Sequence, residues 1–409
     1  MLVLITSILI PIFFVLIFRF LNTKNKAPIF GVYQQKNKTY WFKFLFMYTI
    51  LKIRQLKVHL QRLFAVELGR SSDGVMHVQD HDVNLEKLYN LGDNPKAVDG
   101  TYFNGMSKSG AALICGLARR PQRICDAFLF LKIDGEEVLL TPSLPDTYLK
   151  KSSEDDDSHE VQGLSVANFI PMRTWKLSYN GEMKPRNDPN KKIRVEANLT
   201  WSANFPPFEY DSQMSPKSMA SDMAREPWSA DYFKLLKKFH QTHYEQAGYI
   251  KGTVLVDDKL HELNMPCVRD RSFGPLREWR NFHRYVYHFI FLDNGDFIAV
   301  GSISQPSILS HLTVGYFCRM SDQSVISVDS SNFQLYQHGE NQQLPKDYGF
   351  IFEAGGESYI VKVQAKDEVT FFIGKDKEAK FYEKWCDIEV NGMKGQACVE
   401  WQYNNEVPI

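Results

Sequence analysis

The sequence predicts an all-β protein of the sandwich or barrel class. Three observations carry that prediction. Apolar runs of strand length recur between turn signals at intervals of about 8–12 residues, the spacing of sandwiches and barrels. Asp134-Gly135 and Asn294-Gly295 each sit between two apolar runs, which is the strongest short hairpin signal. No strand alternates with long helical patterns, as a parallel doubly wound sheet would require. At 409 residues the chain has room for about two domains.

The elements follow in order. Residues 1–18 carry no charge, and Arg19, Lys24 and Lys26 come next. A bilayer is spanned by about 20 apolar residues, so residues 1–21 read as a transmembrane anchor. No basic segment precedes the run and no small-residue cleavage site follows it, which argues against a cleaved signal peptide. Positive charge lies only on the C-terminal side, so the expected location is a membrane with the body in the cytosol. The lipid bilayer is then an expected partner.

Residues 22–65 read as a basic amphipathic helical linker. Leu51, Leu56, Leu60 and Leu63 fall near helical spacing, with Lys43, Lys52, Arg54, Lys57 and Arg62 interspersed. Such a helix lies on a membrane surface or packs on the globular body. From about residue 98 short apolar runs alternate with turns, and Asn180-Gly181 reads as a further hairpin turn. Ile193, Val195, Ala197 and Leu199 alternate with polar residues, a half-exposed strand. Four prolines between 205 and 230 mark an excursion, and Asp231–Ala247 reads as a helix joining two halves. The expected β domains are 66–240 and 241–409.

Composition narrows the chemistry. The 48 basic and 48 acidic residues balance, which excludes a strongly basic nucleic-acid binder. The six cysteines are scattered without a CxxC pair, and no HExxH, Walker loop or GxSxG elbow occurs. No metal and no cofactor are expected. The densest polar constellation is CVRDRSFGPLREW at 267–279. Its charges form either a structural ion-pair network or a site. Asp270 is expected to pair with Arg269, Arg271 or Arg277. Just downstream, Val286, His288, Ile290 and Leu292 alternate with Tyr285, Tyr287, Phe289 and Phe291. The histidine-bearing face is expected to wall an apolar pocket, with His288 a core residue or a general acid.

Tyr244, Glu245, Gln246, Gly248 and Gly252, followed by RDRSFGPLREW, carry a resemblance to the AttH and carotenoid 1,2-hydratase superfamily. Asp270, Ser272, Gly274, Arg277 and Trp279 match its Asp-His-Ser-Trp-Gly…Arg…Trp signature. Arg271 stands in place of the histidine and Phe273 in place of the tryptophan. Residues 395–403 add a weaker match. The whole also resembles the N-terminal module of arthropod phosphoenolpyruvate-synthase-like proteins. The resemblance implies two lipocalin-like β-barrels side by side and a lipophilic small-molecule ligand of isoprenoid or fatty acyl type. The ligand is bound or processed; hydration or isomerisation of an unsaturated lipid, or a non-catalytic interaction role, are the alternatives. Asp270 and His288 are then the candidate catalytic residues. Arg271, Phe273, Arg277, Trp279, Tyr244 and Gln246 are the candidate ligand-binding residues. Arginine cannot give up its proton at neutral pH, so Arg271 does not replace the missing histidine as a donor.

Overall fold

A computed structural model describes residues 24–67, 78–152 and 158–405. The expected anchor at 1–21 lies outside the described residues. Among the described residues no helix is long and apolar enough to cross a membrane. The expected linker helix is present as α1 (Tyr40–Glu67), followed by α2 (Val78–Glu86).

The body is all-β. The first sheet contains β1 (Val98–Met106), β2 (Ala112–Arg120), β3 (Ile124–Lys132), β4 (Leu139–Leu140), β5 (Tyr148–Lys150), β6 (Glu160–Val161), β7 (Leu164–Ile170), β8 (Thr174–Pro185), β9 (Ile193–Ala203), β10 (Phe208–Glu209), β11 (Thr242–Val256) and β12 (Lys259–Gly274). Its pairings return on themselves. β12 pairs with β1, and β1, β2, β3 and β4 follow in order. The circuit then runs from β4 through β8 and β9 back to β11. The two-residue β4 is its shortest link. The second sheet is a closed eight-stranded antiparallel barrel of β13 (Arg284–Leu292), β14 (Phe297–Gln305), β15 (Leu309–Arg319), β16 (Ser324–Ser331), β17 (Asp347–Ala354), β18 (Glu357–Ile373), β19 (Ala379–Val390) and β20 (Met393–Asn404).

Between β10 and β11 in sequence lie α3 (Tyr210–Gln213), α4 (Pro216–Met223) and α5 (Ala230–Lys238). Ser215 and Ser229 cap α4 and α5, their hydroxyls accepting from Lys217 N and Tyr232 N. The helix expected over 231–247 therefore ends at Lys238, because β11 begins at Thr242 and pairs along its whole length with β12. The same pairing moves the expected break at 240/241. Residues 242–274 belong to the first sheet, and the passage to the barrel is 275–283. Asn180-Gly181 is also not a turn: both residues sit inside β8, opposite Glu196 and Val195.

Alternation builds three layers of core. Phe103, Leu113, Cys115, Leu129, Trp175 and Trp201 point into the first sheet's circuit. Val286, Ile290, Val300, Phe350, Val399 and Trp401 fill the barrel. Outward-facing residues of both sheets meet between them, as where Phe128 packs on Phe371 with ring centroids 4.3 Å apart.

Candidate functional site

A largely apolar cavity lies between the two sheets rather than inside either. Its volume is about 380 Å³, within the roughly 300–1,000 Å³ of small-molecule sites. The first sheet contributes Tyr102, Ala118, Phe128 and Asp270, and the barrel contributes Tyr285, Tyr287, Phe289 and Glu400. The expected pocket wall is therefore reversed. The Val286, Ile290 and Leu292 face is barrel core, and the Tyr285, Tyr287 and Phe289 face lines the cavity.

The β11–β12 hairpin supplies the first polar wall. Its register sets Glu245 opposite Asp270 and His243 opposite Ser272. Side chains two apart on a strand share a face, so all four reach the cavity. His243 Nε2 lies 2.6 Å from Asp270 Oδ2 and 3.5 Å from Glu245 Oε1. The His243 ring stacks on Tyr210 at 4.3 Å. Tyr210 and Tyr287 share a hydrogen bond, and Tyr287 Oη donates to Glu245 Oε2 at 3.4 Å. Burial alone would lower the imidazole's pKa, but Asp270 and Glu245 more than offset it and raise it to about 10. His243 is thus an imidazolium at neutral pH. Burial pushes the Glu245 carboxyl up.

The barrel supplies the opposite wall. Glu383 and Glu400 are directly paired on β19 and β20, outside the barrel core. Tyr285 donates to Glu400, and Tyr102 Oη donates to Glu383 Oε1 across the seam at 2.9 Å. Burial raises both carboxyls, and the charge of Glu383 raises Glu400 further. Like charges this close cannot both ionise readily, so the pair retains a proton.

Arg277 and Trp279 also line the cavity. Arg277 Nε donates to Gln241 Oε1 at 2.7 Å, and burial lowers the guanidinium's pKa to about 10. Ser272 lines the cavity as well, whereas the remaining candidate residues face away. Arg269 and Arg271 flank Asp270 on β12, so alternation turns them into the first sheet. There Arg269 Nη2 meets Glu86 Oε1 at 2.8 Å, and Arg271 bonds Asp99. The partner expected for Asp270 was Arg269, Arg271 or Arg277; its hydrogen-bonded partner is His243 instead. Tyr244 and Gln246 share the arginines' face. Gln246 Nε2 donates to Met172 O and Phe205 O at 3.0 and 2.9 Å. Phe273 stacks on Tyr89 at 5.2 Å.

His288 is placed apart, inside the barrel. Its Nδ1 lies 3.0 Å from Val300 O and its Nε2 2.8 Å from Tyr348 Oη. Burial lowers its pKa to about 3, so it is neutral. Of the eight candidate residues the structure brings Asp270, Arg277 and Trp279 together. It leaves Arg271, Phe273, Tyr244, Gln246 and His288 elsewhere. His243 and Glu245 were readable in principle from β11 alternation. Tyr210 and Glu400 come from distant segments and carry no local signal, whereas Tyr287 lies on the aromatic face of the alternating strand at 285–291.

His243, Glu245 and Asp270 also place three ligand atoms within 4.8 Å of one another, a spacing that could hold a cation. The 2.6 Å contact between His243 and Asp270, however, has the length of a charge-assisted hydrogen bond.

A solved structure from Nitrosomonas europaea, provisionally assigned as an AttH, matches with a TM-score of 0.50 and 11% identity over 82% of this chain and 99% of that chain. Kievitone hydratase from Nectria haematococca matches with a TM-score of 0.46 and 9% identity over 78% of this chain and 94% of that chain. At such identity the first match speaks for the fold alone, and it supports the AttH-type resemblance at that level. Nothing among these matches supports the resemblance to phosphoenolpyruvate-synthase-like proteins. No curated protein matches the sequence. A family model described as a family of unknown function, DUF8627, matches residues 4–403, and the chain belongs to that family.

Proposed function

We propose that this protein is an enzyme that moves protons on a small lipophilic molecule, adding or removing water or shifting a double bond. The two sheets act as a pair of lipocalin-like barrels whose ligand lies between them. One observation carries this reading: an aromatic, largely apolar cavity holds titratable groups on two facing walls. A pure carrier needs no such convergence, and perturbed groups in a cleft are the mark of acid–base work. An isoprenoid or fatty acyl type of ligand suits the apolar lining. Arg277 would hold its oxygen.

The chemistry follows from the two walls. In a dehydration, the protonated Glu400 gives its proton to a leaving hydroxyl. The C–O bond breaks and its electron pair departs with water. Asp270, hydrogen-bonded to the His243 imidazolium, takes the neighbouring C–H proton, and that electron pair becomes the double bond. Hydration is the reverse. Isomerisation uses the same two groups to remove and return a proton at different carbons. General acid–base assistance of this kind contributes about 10²–10⁴-fold in rate.

The test begins with native mass spectrometry of the purified protein to identify a retained ligand. That molecule is then incubated with the protein in deuterated water. Deuterium should enter at carbon, and Asp270→Asn and Glu400→Gln should each slow its entry by about 10²-fold or more while the ligand stays bound. Tight retention with no exchange by the unaltered protein would make this a binding protein.

A further inference from the structure

We infer that the outer face of α1 is a docking surface for an anionic phospholipid bilayer. The helix is fixed on the body by one stripe. Tyr40 and Met47 are buried, and Phe44, Tyr48 and Leu51 pack with α4 and β15. Tyr40 Oη lies 3.0 Å from Ser221 Oγ, and Lys43 Nζ donates to Glu226 O at 2.7 Å. The helix cannot roll, so its other face is presented outward.

That face is apolar where a solvent-facing helix is ordinarily polar. Trp41 is 70% exposed, Phe42 76%, Leu45 64%, Ile53 62% and Leu56 57%. At i, i+1, i+4, i+12 and i+15 they form one stripe. Exposed Lys52 falls within it, and exposed Lys57 and Arg54 lie along one side. An aromatic and aliphatic stripe accompanied by long basic side chains is the pattern of a helix lying in a membrane interface.

Charge and chain order select the occupant. No Asp or Glu occurs before Glu67, whereas ten Lys and Arg do, in a chain whose net charge is zero. A protein partner would have to be acidic and apolar at once; anionic headgroups over acyl chains meet both needs. The uncharged run at 1–18 lies just upstream in sequence. Leu312 packs against the cluster that seats α1 and also lines the cavity. A bilayer on α1 would therefore lie close to the site where a lipophilic molecule is bound.

The test uses the full chain. The six natural cysteines are buried, so a cysteine introduced by Phe42→Cys or Leu56→Cys can be labelled selectively with the NBD fluorophore. Asp258→Cys, at an exposed turn, is the control. Phosphatidylcholine vesicles containing phosphatidylserine should shift the emission at 42 and 56 to the blue, and brominated acyl chains should quench it. The label at 258 should not respond. Raising salt, or omitting phosphatidylserine, should weaken the shift. Labels at 42 and 56 that stay water-like on vesicle-bound protein would overturn the proposal. So would labels already shielded without vesicles, which would show that residues 1–23 or a second copy cover the face. Neither result bears on the acid–base reading of the cavity.

Discussion

Asp270 and its two neighbours show what single residues do here. A carboxylate between two arginines in sequence reads as an ion-pair network, but successive side chains on a strand point to opposite faces. Arg269 and Arg271 consequently serve a buried network with Glu86, Asp99 and Arg119, while Asp270 faces His243. The two arginines pair with carboxylates outside the 267–279 run, and which charges meet depends on the face. The His243 pair also fixes a pH dependence. Its folded pKa, about 10, stands above its ordinary 6.5. A raised imidazole stabilises the fold fully below the unfolded value and loses that contribution as pH rises through the folded one. The raised carboxyls of Glu245 and Glu400 act with the same sign from a lower starting pH. Stability measured by urea denaturation should therefore fall between about pH 6.5 and 10. His243→Gln should flatten that slope. An unchanged slope in the variant would show that His243 is not held as a cation.

At the scale of elements, the strands and most turns were legible in the sequence. The Asp257-Asp258 turn joins β11 to β12, and Asn294-Gly295 joins β13 to β14. Asn180-Gly181 misled because a glycine inside a strand looks locally like a hairpin turn. In β8 the place of a side chain at Gly181 is taken by the Tyr179 ring, whose hydroxyl would lie 2.7 Å from an added Cβ. β11 shows why such glycines are needed. It pairs on one edge with β12 and on the other with β9, so the chain must bend while both ladders hold. Gly252 does this at φ +153°, and a Cβ there would stand 2.1 Å from Asn198 O. That contact is with backbone and cannot be relieved by a rotamer change. Gly252→Ala should cost about 1–3 kcal/mol in a denaturant titration. The same hairpin carries His243, Glu245 and Asp270, so the variant should also weaken binding of any ligand the cavity retains. A neutral effect on stability would mean that the β9–β11 edge yields without loss.

At the scale of the whole molecule, composition and spacing pointed to two β units, but not to the surface on which they meet. Lipocalin-like barrels were expected to hold a ligand inside; here both interiors are filled. Trp175 and Trp201 close around Arg269 in the first sheet, and Trp401 packs with Phe333 in the barrel. The seam took over the role because its two faces come from segments far apart in sequence, which no local pattern connects. It is also tightly joined. Arg186 Nη1 meets Asp367 Oδ1 at 2.7 Å, Phe372 N donates to Pro145 O at 2.8 Å, and Phe208 stacks on Tyr316 at 4.6 Å. A seam shared by two apolar clusters couples the halves, because opening either one exposes the outer face of the other. The protein should therefore unfold in one transition. Trp175 and Trp201 report on the first sheet, and Trp385 and Trp401 on the barrel. Phenylalanine replacement of either pair leaves fluorescence weighted to one half. The two variants should each give a fluorescence midpoint coincident with the circular dichroism midpoint of the same variant. A ligand retained in the seam should raise the midpoint seen by both tryptophan sets together. If one half melted first and the ligand moved only its midpoint, the binding site would belong to that half alone and not to the surface between them.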